Sequence, residues 1–263
     1  MAEKQKKRWG LLVLQKYGAL MLFVVLWEIV CWINQSAEFI NPGLFPAPHT
    51  LLQALIKQVE HGYLQEDMLA SLSRVFKGFL IASVLGILLG VISGFFKTCT
   101  YIINPIVELF RPIPALAFLP MFLLWFGIGE ASKVMFISFG AFFTIYVNTY
   151  QAVLYTPPTL VRAAKCLGAN KFQILYKIVI PNAMPGILTG LRLGFGISLF
   201  VLVSAELIAA SSGLGFRIMD SRSNFAVDVM LADAFVIGIL GLIFSKLFSL
   251  LEHFLLRWSD STG

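Results

Sequence analysis

Charged residues are scarce in this chain. Lys, Arg, Asp and Glu make up 13% of its 263 residues, where a soluble globular domain carries about 25%. With 58% hydrophobic residues and a mean hydropathy of +0.84, that deficit excludes a water-soluble enzyme or carrier and places the chain in a lipid bilayer. Cysteines are few as well. Cys31, Cys99 and Cys166 are odd in number, widely scattered and free of any Cys-x-x-Cys pair, which excludes a disulfide framework and a zinc site. His49, His61 and His253 stand isolated in the sequence, so no metal cluster is expected, and no Ser/His/Asp order suggests a hydrolase. The nearest approach to a phosphate-binding loop, Gly90-Val-Ile-Ser-Gly94-Phe-Phe-Lys97-Thr98, lacks the four-residue gap between glycines and the Gly before Lys that let backbone amides cradle phosphates. The chain is therefore expected to be no enzyme and to draw its energy from a partner.

What charge there is leans positive, with a net +6 and a pI near 9.3. The basic residues do not gather on a nucleic-acid-binding fold, and no nucleic-acid partner is expected. Lys4, Lys6, Lys7, Arg8 and Lys16 precede the first apolar run, and Arg162, Lys165, Lys171 and Lys177 fill one loop. Basic loops stay cytoplasmic, so residues 1–16 are expected as a cytoplasmic tail and 156–187 as a cytoplasmic loop. Arg74, Lys77, Lys133, Arg217 and Arg222 are placed at or near the outer face. No small-x-small cleavage site follows the first run promptly, and it is read as a retained span rather than a signal peptide.

About 20 apolar residues are needed to cross ~30 Å of hydrocarbon. Six segments qualify, at 17–34, 76–96, 101–127, 132–154, 188–211 and 230–254, giving an all-helical single domain with both termini on the cytoplasmic side. Segment 44–68 is too polar to span. Leu51, Leu52, Leu55, Ile56 and Val59 recur in it at helical spacing, and it is expected as an amphipathic helix on the outer surface or packed on the bundle.

Between Val161 and Pro181 lies a polar island. Leu160, Ala163, Ala164 and Leu167 form one narrow apolar helical face, Gly168 sits where a left-handed stop is needed, and Asn170 can cap a second helix. Two short helices between spans suggest a docking device. Ala163, Ala164, Gly168, Ile178 and Pro181, with Ile180 for a Leu, fall on the spacing of the EAA loop, and the chain resembles the permease subunits of ABC importers. Arg162 stands where that pattern has an acidic residue. The resemblance runs from about Pro46 to the last span and is closest to the nitrate/sulfonate/taurine/bicarbonate group, through Leu-Trp-Phe-Gly-Ile-Gly at 124–129, Ala-Glu-Leu-Ile at 205–208 and Gly213-Leu214-Gly215. It implies a type I importer permease fold, a second permease copy as homodimer partner, two cytoplasmic ABC ATPase subunits that bind ATP and Mg, an external substrate-binding protein, and no cofactor in this chain. Arg162, Ala163, Ala164, Lys165, Leu167 and Gly168 are then the expected ATPase-coupling residues. The implied substrate is a small anion, sulfonate or taurine foremost, with nitrate, bicarbonate or another small acid as the alternative. A secondary transporter would need paired broken helices and a membrane-embedded enzyme a polar cluster at one depth; the sequence offers neither.

Four prolines crowd the third span, Pro105, Pro112, Pro114 and Pro120. Each removes a backbone donor, so this helix is expected to kink or break and, where it breaks, to line a wet pathway. Glu108 and Arg111, three apart, pair either as a gate or to satisfy each other. Glu206 is the sharpest intramembrane carboxylate and must face the bundle with a partner or water, as a gate element or as a staple between helices; Glu28 raises the same question, and Asp233 is placed near a span end. The turn of Gly213 and Gly215 either points its amides at a passing anion or only returns the chain. Gly86, Gly90 and Gly94, and again Gly186, Gly190 and Gly194, are four apart and are expected to be seams of close helix contact.

Overall fold

A backbone that crosses hydrocarbon must satisfy its polar groups internally, and the computed structural model of the chain is helical, with no strand among the described residues. It describes residues 2–37 and 39–256, of which 2–17 and Pro42 as backbone only. The side chains of Lys4, Lys6, Lys7, Arg8 and Lys16 therefore lie outside the described residues. The helices in order are α1 (Ala2–Ala37), α2 (Pro48–Glu60), α3 (Tyr63–Phe95), α4 (Lys97–Phe110), α5 (Leu119–Phe126), α6 (Glu130–Leu154), α7 (Pro158–Cys166), α8 (Lys171–Ile174), α9 (Ile180–Ala209), α10 (Leu214–Ser223) and α11 (Val227–Leu255). Five stretches are long and apolar enough to cross a membrane: Gly18–Ala37, α3, α6, Lys171–Ala209 and α11. The sixth is a broken pair, Lys97–Phe110 and Ala115–Phe126, bent by 90°.

The chain divides into two units, Met1–Gln65 with Arg217–Phe235, and Glu66–Phe216 with Val236–Gly263. In the first, α2 buries Leu51 and Ala54 against Ala232, with Trp27, Leu55 and Val229 around them. Trp27 stacks on Phe235 at 5.8 Å. The helix expected over 44–68 ends at Glu60, because the chain turns at His61–Gly62 before α3 starts. Its apolar residues are not one buried face, since Leu52 and Ile56 are 62% and 57% exposed. His49 is not isolated either: its Nδ1 meets Glu28 Oε1 at 2.6 Å, at the mouth of α2. Asp233, expected near water, is fully buried.

In the second unit α6 is the shared axis, and glycines set how closely its neighbours approach. A Cβ at Gly78, Gly86, Gly90 or Gly94 of α3 would come within 2.6–2.9 Å of Ile137, Ile145, Thr149 and Val153 respectively. The partner numbers rise together, so α3 and α6 run parallel. On the other flank Gly190 and Gly194 of α9 face Asn148 and Ile145, and Gly140 of α6 faces Val201. Here the numbers run oppositely, and α9 is antiparallel to α6. Lipid gives no hydrophobic drive between helices, so small residues admit the close packing that replaces it. Both glycine seams are thus contacts within the chain. Phenylalanines fill what remains: Phe195 lies 4.6 Å from Phe244 and 5.2 Å from Phe79, ring centre to ring centre.

Candidate functional site

The start of α10 gathers most of the buried charge. A helix leaves its first backbone N–H groups without intrahelical acceptors, at the positive end of its dipole. Here the Gly213 amide donates to Asp67 Oδ1 (2.7 Å), the Leu214 amide to Ser71 Oγ (2.9 Å) and the Gly215 amide to Glu206 Oε2 (2.9 Å). The amides of the 213–215 turn are occupied by two carboxylates and a hydroxyl of the protein itself, which corrects the reading that left them free for a passing anion. Gly213 has φ +115°, and a Cβ there would run into the Glu206 carboxylate and the Arg74 guanidinium.

Arg74 closes this node. Its Nη1 donates to Glu206 Oε1 (2.6 Å) and to the Ser212 carbonyl (2.7 Å), while Nε and Nη2 fork onto Glu130 at 2.7 and 2.8 Å. Ser71 Oγ also donates to Glu206 at 2.9 Å, and Lys133 Nζ reaches Glu130 at 2.8 Å. Arg74 and Glu206 are 4% and 1% exposed. The fork onto Glu130 and the Nη1 contact with Glu206 together hold α3, the start of α6 and the end of α9 in one register. Glu206, Gly213 and Gly215, singled out separately in the sequence, are therefore brought together. Ser71, Asp67 and Glu130 are the residues that sequence reasoning missed, and Arg74 was read only as a charge at the outer face. A second span beginning at 76 leaves Arg74 outside, whereas α3 begins at Tyr63. The signal was the spacing of Asp67, Ser71 and Arg74, which is one face of a helix, below an apolar run that needed a counter-charge for Glu206.

A second locus is the break between α4 and α5. Pro112 and Pro114 have no N–H to continue the ladder; α4 ends at Phe110 and the chain resumes in a short 3-10 turn at Ala115. The break walls a cavity of about 630 Å³ in which Arg111, Pro112 and Pro114 face Thr144 and Asn148 of α6 and Ser204 of α9. Arg111 is its single charged lining residue among those described. The pair expected between Glu108 and Arg111 is not formed: both side chains are exposed, no ion pair joins them among the described residues, and only Arg111 lines the cavity.

The third locus is the polar island. Pro158 starts α7, and Gly168 ends it with φ +79°, where the Gly168 and Ala169 amides bond the Lys165 and Ala164 carbonyls (both 3.0 Å). Only glycine adopts that stop without strain. Asn170 and Gln173 then form a reciprocal capping box, each contact 2.8 Å. α8 does not end as a separate helix. It widens at Leu175–Val179, where the Ile180 amide reaches back to the Leu175 carbonyl, and continues into α9. Pro181 follows at once, and a wide turn absorbs its missing donor and its ring. The expected 156–187 loop is thus α7 plus the first turns of a continuous helix, Lys171–Ala209. The expected apolar face of α7 is split. Ala164 is buried against Val153, Ile174 and Val179, but Leu160 and Leu167 are 45% and 88% exposed, and Arg162, Ala163, Lys165 and Gly168 are exposed too. Phe172 and Tyr176 extend the outward apolar patch, at 69% and 67%.

Comparison with known proteins fits this architecture. The family described as "Binding-protein-dependent transport system inner membrane component" matches residues 71–260. A protein of Methanocaldococcus jannaschii named as an ABC transporter permease is 40% identical over 86% of this chain and 84% of its own length. The taurine transport system permease protein of Escherichia coli is 34% identical over 98% of this chain and 94% of its own length. Among solved structures, an inward-facing form of the MetNI methionine ABC transporter superposes with a TM-score of 0.63 at 20% identity, covering 73% of this chain and 95% of its own, which is a likeness of fold.

Proposed function

This chain belongs to the family of binding-protein-dependent transport system inner membrane components, and from that membership we propose how its parts carry a small anion across the membrane. The chain is the multi-pass permease subunit of an ABC importer. In our reading two copies form the channel, two ATPase subunits bind ATP and Mg on the cytoplasmic side, where both termini and α7 lie, and an external binding protein delivers the substrate. This chain needs no cofactor of its own.

α7 is the coupling element. It is short, rigidly started by Pro158, sharply stopped by Gly168, and presents Leu160 and Leu167 as an outward ridge, with Arg162 and Lys165 also exposed. A helix with an exposed apolar ridge is suited to a groove on a partner. When the ATPases close, α7 moves, and the continuous helix from Lys171 to Ala209 carries that movement into the bilayer. The side that opens is set by contacts that differ between the two states. The node of Arg74, Glu206 and Glu130 acts as a staple, giving the far ends of α3, α6 and α9 a fixed point about which the rest moves.

The substrate class rests on one observation: among the described residues, Arg111 is the only charged one lining a cavity whose other polar groups are Thr144, Asn148 and Ser204. A lone guanidinium among neutral donors favours a small oxyanion. A taurine-like sulfonate is our first choice, since the Escherichia coli relative is a taurine permease; nitrate, bicarbonate or another small acid is the alternative. Arg111→Ala is expected to cut ATP-driven uptake in proteoliposomes at least tenfold, the scale of one lost charge-assisted contact, while the assembled complex survives. Uptake at the parental rate in that variant would remove Arg111 from the pathway.

A further inference from the structure

A second polar cavity lies at the α7 end of the spans. It has a volume of about 590 Å³ and is walled by the end of α3, the start of α4, the end of α6, and α7 and α8. Four cations line it, Lys97, Arg162, Lys165 and Lys171, with no carboxylate among the lining residues. None of the four takes part in an ion pair among the described residues. Its floor is apolar, including Phe95, Val153 and Ile174. One further feature points to an occupant. Thr156, 7% exposed, is a lining residue whose buried hydroxyl has no hydrogen-bond partner among the described residues, and such a group costs free energy until something bonds it. The start of α4 adds to this: no side chain caps the helix at Phe96, so its positive end stands uncapped by any side chain beside Lys97.

We propose that this cavity binds a phosphate-bearing anion. Unbalanced cations, a helix start and an unpartnered hydroxyl match the three or four acceptor oxygens of a phosphate, and the apolar floor matches the carbon skeleton attached to it. Two sources share this chemistry, the headgroup of an acidic phospholipid and a water-soluble phosphate ester. Basic pockets beside span ends are suited to the first. Because Arg162 and Lys165 belong to α7 while Lys97 and Thr156 belong to the spans, the bound phosphate bridges the coupling helix to the bundle. Binding itself does not depend on the transport reading.

The test is native mass spectrometry of the purified permease titrated separately with phosphatidylglycerol, phosphatidylcholine and glycerol 3-phosphate. Phosphatidylglycerol is expected to bind about tenfold more tightly than phosphatidylcholine, and K97A/K171A to abolish that preference, as losing two interfacial cations predicts. K97R/K171R should retain it, and Thr156→Val should weaken it with the charges intact. Selective binding of glycerol 3-phosphate without lipid preference, lost in the same variant, supports the site with a soluble ligand. Equal phosphatidylglycerol affinity in the parent and K97A/K171A, with both folded by circular dichroism, overturns the proposal. Displacement of every anion when the ATPase assembles also overturns it, by assigning the cations to the partner's surface.

Discussion

Arg74 is held by two carboxylates and a backbone carbonyl, and its removal strands them. With Arg74→Ala, Glu206 stays buried at 1% exposure without its counter-charge, and breaking a buried pair from one side costs about 3–5 kcal/mol. Arg74→Lys keeps the charge but neither the fork onto Glu130 nor the simultaneous contact with Glu206, and should fall between. Thermal unfolding of the detergent-solubilised protein checks both; an unchanged midpoint for Arg74→Ala would sink the staple reading. Gly213→Ala tests the same node sterically, since its Cβ would enter the space of the Glu206 carboxylate and the Arg74 guanidinium at a backbone φ of +115°. It should lower the midpoint by an amount comparable to Arg74→Ala. At this scale the sequence was half legible. An isolated carboxylate in an apolar run announces that a partner exists, and Asp67, Ser71 and Arg74 sit on one helical face. Nothing local, however, says that a residue 132 positions away completes the pair.

Among the helices, composition reveals what length and apolarity decide, and hides what packing decides. The six hydrophobic runs and the proline break of the third were readable, because crossing hydrocarbon and losing a backbone donor are local constraints. The 90° bend was not, as its angle depends on what α4 and α5 pack against. The face of α7 misled for an instructive reason. Leu160 and Leu167 follow helical periodicity, yet periodicity reports only that an apolar stripe will be covered, not by what. Here the chain leaves them exposed, which fits a stripe reserved for a partner. Gly168 tests the element as a whole. With φ +79° it excludes proline, whose φ is fixed near −65°, so Gly168→Pro should misdirect α7 while the spans remain folded. ATP-driven uptake should be lost with circular dichroism unchanged, and near-normal uptake would reject α7 as the coupling element. Arg162→Glu, which restores the acidic residue of the EAA pattern, should alter retention of the ATPase on co-purification; identical retention would remove Arg162 from the contact.

Across the whole molecule the apolar surface requires other bodies. Leu124 and Ile128 are 84% and 86% exposed, and Leu242 of α11 is 73% exposed, surfaces that only lipid or another subunit can cover. In the proposed reading transport belongs to an assembly, and its substrate is best read from what makes that assembly turn over. We expect the permease reconstituted in lipid with its ATPase to hydrolyse ATP slowly, and to be stimulated by a binding protein loaded with taurine or an alkanesulfonate but not by the empty one. Stimulation requires the loaded protein to favour one state of the permease, and its size reports that differential affinity. If nitrate or bicarbonate stimulates in place of sulfonates, the importer stands and the substrate changes; Arg111→Ala should then blunt transport of whichever anion is active, because the cavity's one charge does not distinguish among them. If the permease retains no ATPase under any condition, α7 has no partner groove to enter, and the exposed ridge of Leu160 and Leu167 needs a different explanation.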